Sequence, residues 1–165
     1  MCNSSEGHNV PKIGGGFQQA GAQFGTSLFQ ADGRGKTIIE FSGAYQDGAV
    51  HRLIRETQFS PKDGSLTVTD GFELPSSGIV TENLVTKETV LLQDNIIRIQ
   101  GKQVSCIVET EKGFTNLRVE ERLHSNHEGE KEIIRLIQWD AIPEIEMGEK
   151  GERYYGVSKY TVRKC

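Results

Sequence analysis

The chain has 165 residues, with 19 basic and 23 acidic side chains and a formal charge of −4. That length suits one domain, and a hydrophobic share of 35% is low for a folded protein yet too high for a disordered one. Mild acidity argues against a nucleic-acid groove, which needs a concentrated basic face, and no apolar run is long enough for a membrane-spanning helix.

Residues 1–25 read as a turn-rich lead-in, because Gly14-Gly15-Gly16, Gly21 and Gly25 interrupt any regular period. A short extended piece around Phe17 and Gln18-Gln19 is the most they would hold. Met1 is followed by Cys-Asn-Ser-Ser-Glu-Gly, with no basic region and no apolar stretch, so no signal peptide is read in this chain. Either the protein stays in the cytoplasm or the chain is a piece of something longer. Cys2, Cys106 and Cys165 are an odd set and do not suggest a disulfide framework.

From Thr26 the pattern becomes short runs of β-branched and aromatic residues spaced by turn signals. Strands are expected at 26–31, 36–41 and 49–59, the last with both faces partly covered. Pro61-Lys62-Asp63-Gly64 is a strong turn into 65–74, where Leu66, Val68, Phe72 and Leu74 alternate with polar residues. Further runs follow at 79–86, 89–92, 96–100, 104–109, 116–124, 132–141 and 154–163. No stretch carries a helical apolar stripe; residues 79–92 come nearest, but Thr and Val dominate there. The expectation is an all-β, antiparallel sandwich of roughly ten strands, with 1–165 as a single domain.

Chemistry-bearing residues are scattered. His124 and His127 could ligate a metal if helical, but Ser125-Asn126 and Gly129 place them at a solvated hairpin tip. His51, beside Arg52 and Arg55, reads as a sheet-face residue. No G-x-S-x-G elbow is present, and Gly14-Gly15-Gly16 neither follows a strand nor opens a helix. Glu144, Glu146, Glu149 and Glu152 read as a solvated charged loop. Trp139, Tyr154, Tyr155 and Tyr160 could stack on a sugar ring or fill the core of a C-terminal strand.

One segment rises above composition. Ser4-Ser5-Glu6-Gly7-His8-Asn9-Val10-Pro11, with Ile13, Gly14, Gln18-Gln19 and Gly21, resembles the opening of the C-terminal region of heparinase II/III-like polysaccharide lyases. Ala44-Tyr45, Gly48-Ala49-Val50, Arg52-Leu53-Ile54-Arg55 and Gly64-Ser65-Leu66-Thr67-Val68-Thr69-Asp70 are similar to the segments that follow in that family. The second half of the chain matches as general β-sandwich sequence.

The resemblance implies a parent enzyme with an N-terminal α/α toroid and a C-terminal β-sandwich. Such enzymes cleave acidic polysaccharide by β-elimination: a base takes the proton beside the uronic carboxyl group, and an acid protonates the leaving oxygen. In the family those groups lie largely on the toroid and on a His-x-His stretch, which have no counterpart in this chain. His8 matches a histidine that helps bind zinc in metal-bearing members, so it is the candidate metal ligand here, in an incomplete site. Asn9 is expected to brace the turn through its side chain. No catalytic residue is assigned to this chain. Parent enzymes are often periplasmic or secreted.

The leading reading is therefore the sandwich module of such a lyase, inactive alone, whose partners are the toroid and an acidic polysaccharide. Self-association through an apolar face is expected if the toroid is missing. The alternative is a free-standing β-sandwich that binds carbohydrate or protein without catalysis. An independent small enzyme has no constellation to support it.

Overall fold

A computed structural model describes residues 5–93, 96–111, 113–126, 128–148 and 151–165. Its strands are β1 (Lys12–Ile13), β2 (Leu28–Ala31), β3 (Lys36–Glu40), β4 (Arg52–Ser60) and β5 (Ser65–Leu74). Next come β6 (Val80–Thr86), β7 (Thr89–Gln93), β8 (Ile96–Gln100) and β9 (Ser105–Thr110). The last four are β10 (Phe114–Ser125), β11 (Lys131–Ala141), β12 (Glu144–Gly148) and β13 (Gly151–Lys164). Among the described residues the only helical turns are two short 3-10 pieces, Ser5–Gly7 and Ser42–Ala44, and no helix is long and apolar enough to cross a membrane.

The strands form two antiparallel sheets. The smaller has the order β1-β6-β11-β10. The larger has the order β2-β3-β4-β5-β13-β9-β8-β7, with β12 also paired to β13. The chain begins in the smaller sheet with β1 and crosses between the sheets five times, re-entering the smaller one at β6 and again at β10. Strand β13 is central. One of its edges pairs with β5 from Tyr154 to Val162; the other is shared by β12 and β9.

The all-β expectation holds, and every expected run becomes a strand. Two strands are additions. The two-residue β1 sits in the lead-in, where glycine hid it. β12 forms from the Glu-rich stretch expected to be a loop: Glu144 and Glu146 face Tyr155 and Arg153 across a hairpin. Glu149 and His127 lie outside the described residues. The extended piece expected at 17–19 forms no strand. The Pro61–Gly64 turn holds as expected: Gly64 takes the left-handed φ of 66° that a Cβ would resist, and the Asp63 carboxylate accepts the Ser65 N–H at 3.1 Å.

Between the sheets the interior has two apolar ends and a polar middle. At one end lie Phe41, Tyr45, Val50, Leu53, Phe72, Leu74, Val80 and Ala141. At the other lie Val68, Leu84, Ile97, Val108, Ile137, Trp139 and Tyr160. The inward rows pass from one to the other through polar residues: Asp70 separates Val68 from Phe72, and Glu82 separates Val80 from Leu84. Arg55, Asp70 and Ser158 are direct cross-strand neighbours on the larger sheet, as Glu82 and Trp139 are on the smaller. The Trp139 indole N–H donates to Ser158 Oγ at 3.3 Å and ties the two sheets together. Trp139 also meets the Tyr160 ring edge-on, with centroids 5.2 Å apart.

The lead-in is ordered by the polar face of the smaller sheet. Asn83 lies beside Gln138 on that sheet's outward row, and its side-chain amide donates to the carbonyls of Glu6 and His8, at 3.3 and 2.9 Å. Glu6 pairs with Arg122. The Tyr45 hydroxyl, buried in the interior, donates to the Pro11 carbonyl at 2.6 Å; burial raises its pKa well above the ordinary phenol range. Residues 5–13 therefore act as a third layer over part of the smaller sheet.

Candidate functional site

Where that layer meets the end of the smaller sheet, a groove of about 690 Å³ opens. Gly7, His8 and Asn9 form one wall; Thr86 and Lys87, at the end of β6, form the floor. The β10–β11 hairpin supplies the other wall through His124, Asn126 and Glu132. The sequence reading treated His8 and His124 separately, and the fold brings them to one place.

The wall carrying His8 is fixed from three sides. Asn9 Oδ1 accepts the Val85 N–H at 2.7 Å, which caps the free edge of β6. Arg55 Nη1 donates to the Asn9 carbonyl at 2.5 Å. Asn83 holds the His8 carbonyl from below. Asn9 thus braces a neighbouring strand rather than its own turn. The opposite wall is built on an Asx turn: Asn126 Oδ1 accepts the N–H groups of Glu128 and Glu130, at 3.0 and 2.9 Å. His124 is the penultimate residue of strand β10 and is half-buried, 3.9 Å from Glu132 through Nε2, so it is not the solvated tip residue expected. Lys87 Nζ lies 2.8 Å from the Glu132 carboxylate, and Arg135 fixes the turn after β6 by donating to the carbonyls of Lys87 and Glu88.

This arrangement brings an ammonium, two imidazoles, side-chain amides and the carboxylates of Glu128 and Glu132 to one open trough, with the ammonium paired to Glu132. Such groups can hydrogen-bond a hydroxylated ligand. They do not make a zinc centre. Zinc needs three or four protein donors, and among the described residues no group of three or more His, Cys, Asp or Glu side chains is placed to hold a metal ion. No chemical step is assigned to a metal here.

The other sequence candidates are dispersed. Trp139 and Tyr160 are core residues, 1% and 3% exposed, while Tyr155 faces solvent; the four aromatics form no common platform. His51 lines a separate depression of about 480 Å³ with Glu73 and Arg153. Arg52 is exposed.

Arg55 is held in a cross-strand ion pair. Its Nε and Nη2 donate to the two oxygens of Asp70, at 2.7 and 2.5 Å, and its guanidinium lies 5.8 Å from the Phe41 ring. Burial alone would lower its affinity for a proton, but the hydrogen bonds and charge of Asp70 outweigh that and raise it. Glu82, 1% exposed, lies 3.7 Å from Arg55 Nη2 through Oε2. Burial first, and the neighbouring Asp70 second, hold its carboxyl group well above the usual range. Sequence reasoning missed Asp70, Glu82 and Asn83. The available signal was a charged or amide residue in the inward or doubly covered slot of an apolar strand.

No protein-family profile matches the chain, and no curated protein matches it in sequence. Solved structures do match in fold. Heparinase III, the BT4657 gene product with methylated lysines, superposes with a TM-score of 0.68 at 11% identity. A second structure of that gene product gives 0.66 at 10%. A mutant of the heparan sulfate lyase HepC from Pedobacter heparinus gives 0.62 at 8%. Each match covers 98% of this chain and 24 to 25% of the other. At these identities the likeness is one of fold. The chain spans about a quarter of the length of those proteins, a share that fits the C-terminal module expected from the His8-Asn9 segment.

Proposed function

We propose that the chain is the C-terminal β-sandwich module of a heparinase II/III-like polysaccharide lyase and that its groove forms one wall of the cleft for a uronic-acid-containing polysaccharide. The observation that carries this reading is the likeness of nearly the whole chain to about a quarter of a heparinase III. The placement of His8, Lys87 and His124 around one trough supports it. In this reading the principal acid and base of β-elimination belong to an α/α toroid, which with the acidic polysaccharide completes the list of partners. The module's own groups bind and orient: Lys87, paired with Glu132 in the free module, turns to the uronate charge, and Asn9 and Asn126 hold the walls. Zinc at His8 is part of the same proposal and would need donors beyond the described residues, so metal content of the purified chain reads it directly.

The test uses the chain as it is, with heparan sulfate, chondroitin sulfate and alginate. Ultraviolet absorbance reports the unsaturated uronate made by elimination, and calorimetry reports binding. The expected result is binding without product, weakened several-fold by Lys87→Ala or His8→Ala. Product formation by the isolated chain overturns the division of labour. Binding that ignores both substitutions overturns the groove and leaves a carbohydrate-binding sandwich of another kind. Light scattering distinguishes a monomer from self-association.

A further inference from the structure

We infer that β7 is the edge through which two copies of this chain join, by antiparallel pairing of Thr89–Gln93 with the same five residues of the second copy. The larger sheet ends at β2 on one side and at β7 on the other. An open edge presents unpaired N–H and C=O groups, and folded proteins blunt it with charge, proline, a bulge or a cover. β10, at the end of the smaller sheet, carries Arg118, Glu120, Glu121 and Arg122 and a bulge before Arg118. β12 carries Glu144 and Glu146. β7 reads Thr-Val-Leu-Leu-Gln, with no charge and no proline, and it pairs with β8 in unbroken register.

The sequence of β7 selects the strand that fits it. A two-fold axis through Leu91 sets that residue against its own counterpart, Val90 against Leu92 and Thr89 against Gln93. Apolar meets apolar and polar meets polar at every position. An axis at Val90 would set Glu88 against Leu92, and an axis at Leu92 would set Val90 against Asp94. In sequence Glu88 and Asp94 flank the run, and their like charges confine the ladder to these five residues. β2 is also uncharged but has no such register. An axis at Phe29 sets Leu28 against Gln30, and an axis at Gln30 sets Leu28 against Asp32.

The pairing covers apolar side chains on both faces. Val90 and Leu92 lie on the inward rows of Ile99 and Ile97. Leu92 is 43% exposed, with no strand beyond it. The second copy supplies that strand, and its Val90 continues the row from Leu92. On the outer face Leu91, 46% exposed, meets its counterpart across the axis. The contact is isologous and closes on itself, so it makes a dimer rather than a filament.

Sedimentation of the full chain, without saccharide, tests the edge separately from the groove. A ladder this short is a small interface and gives a weak dimer, so the mass is expected to double as the concentration rises through roughly 100 μM. Leu91→Lys places like charges on the axis and is expected to raise the dissociation constant at least about tenfold. Leu28→Lys, on β2, is expected to leave it unchanged. A chain that stays monomeric to about 1 mM, species that grow past the dimer, or association that survives Leu91→Lys overturns the proposal. So does association lost in Leu28→Lys. Should Leu91→Lys not fold, amide spectra of the unaltered chain decide. On dilution the amides of Val90, Leu91 and Leu92 are expected to shift and lose protection from exchange, while those of Leu28 to Ala31 stay fixed. Shifts at β2, or none at β7, reject the edge.

Discussion

The two sheets are covered differently. In the larger, β5 alternates strictly, with Val68, Asp70, Phe72 and Leu74 inside and Thr67, Thr69, Gly71 and Glu73 toward solvent. In the smaller, Val80 to Leu84 of β6 and Leu136 to Ala141 of β11 are buried without alternation. A sheet open on one side shows period two; a sheet covered on both does not. The second cover comes partly from residues 5–13, so a segment poor in regular structure completes a layer and shapes the groove. The larger sheet keeps a free face, where Val157 is 66% exposed.

The most severe way to break this difference is at the polar middle that joins the sheets. Arg55→Ala leaves Asp70 buried and unpaired, and should cost about 3–5 kcal/mol in denaturant unfolding. Asn83→Ala acts on the smaller sheet alone. It orphans the Glu6 carbonyl and the Gln138 amide that donates to Asn83 at 2.9 Å, and leaves the His8 carbonyl with the Val10 N–H alone. A loss of about 1–3 kcal/mol is expected, with faster hydrogen exchange in residues 5–13. Val157→Thr on the free face of the larger sheet should change unfolding by no more than about 0.5 kcal/mol. A large effect there would mean that this face is covered after all.

Much of the fold was legible because strand-forming runs and turns are local signals. The Leu66-Val68-Phe72-Leu74 row declared its face, and Pro61–Gly64 declared its turn. The order of strands was not legible, since nothing local says that β13 lies between β5 and β9. The site was legible only in part. His8 and Asn9 stood out through the family-like segment. Lys87 and Glu132 did not, because their meeting depends on pairing across 45 residues of sequence. Asp70 stands on that same inward row, so its position was legible; why a carboxylate is tolerated there required knowing that Arg55 stands opposite.

The central place of β13 has a consequence for how the molecule is made. The wing β2–β5 and the wing β7–β9 can each form hairpins as the polypeptide emerges during translation, but they cannot join until β13 arrives between them. Contacts so distant in sequence are slow to form, and until then two open amide edges wait side by side. A nascent copy stalled short of Tyr154 should be the most aggregation-prone state on its route from the ribosome, and a chaperone that shields those edges would help it most.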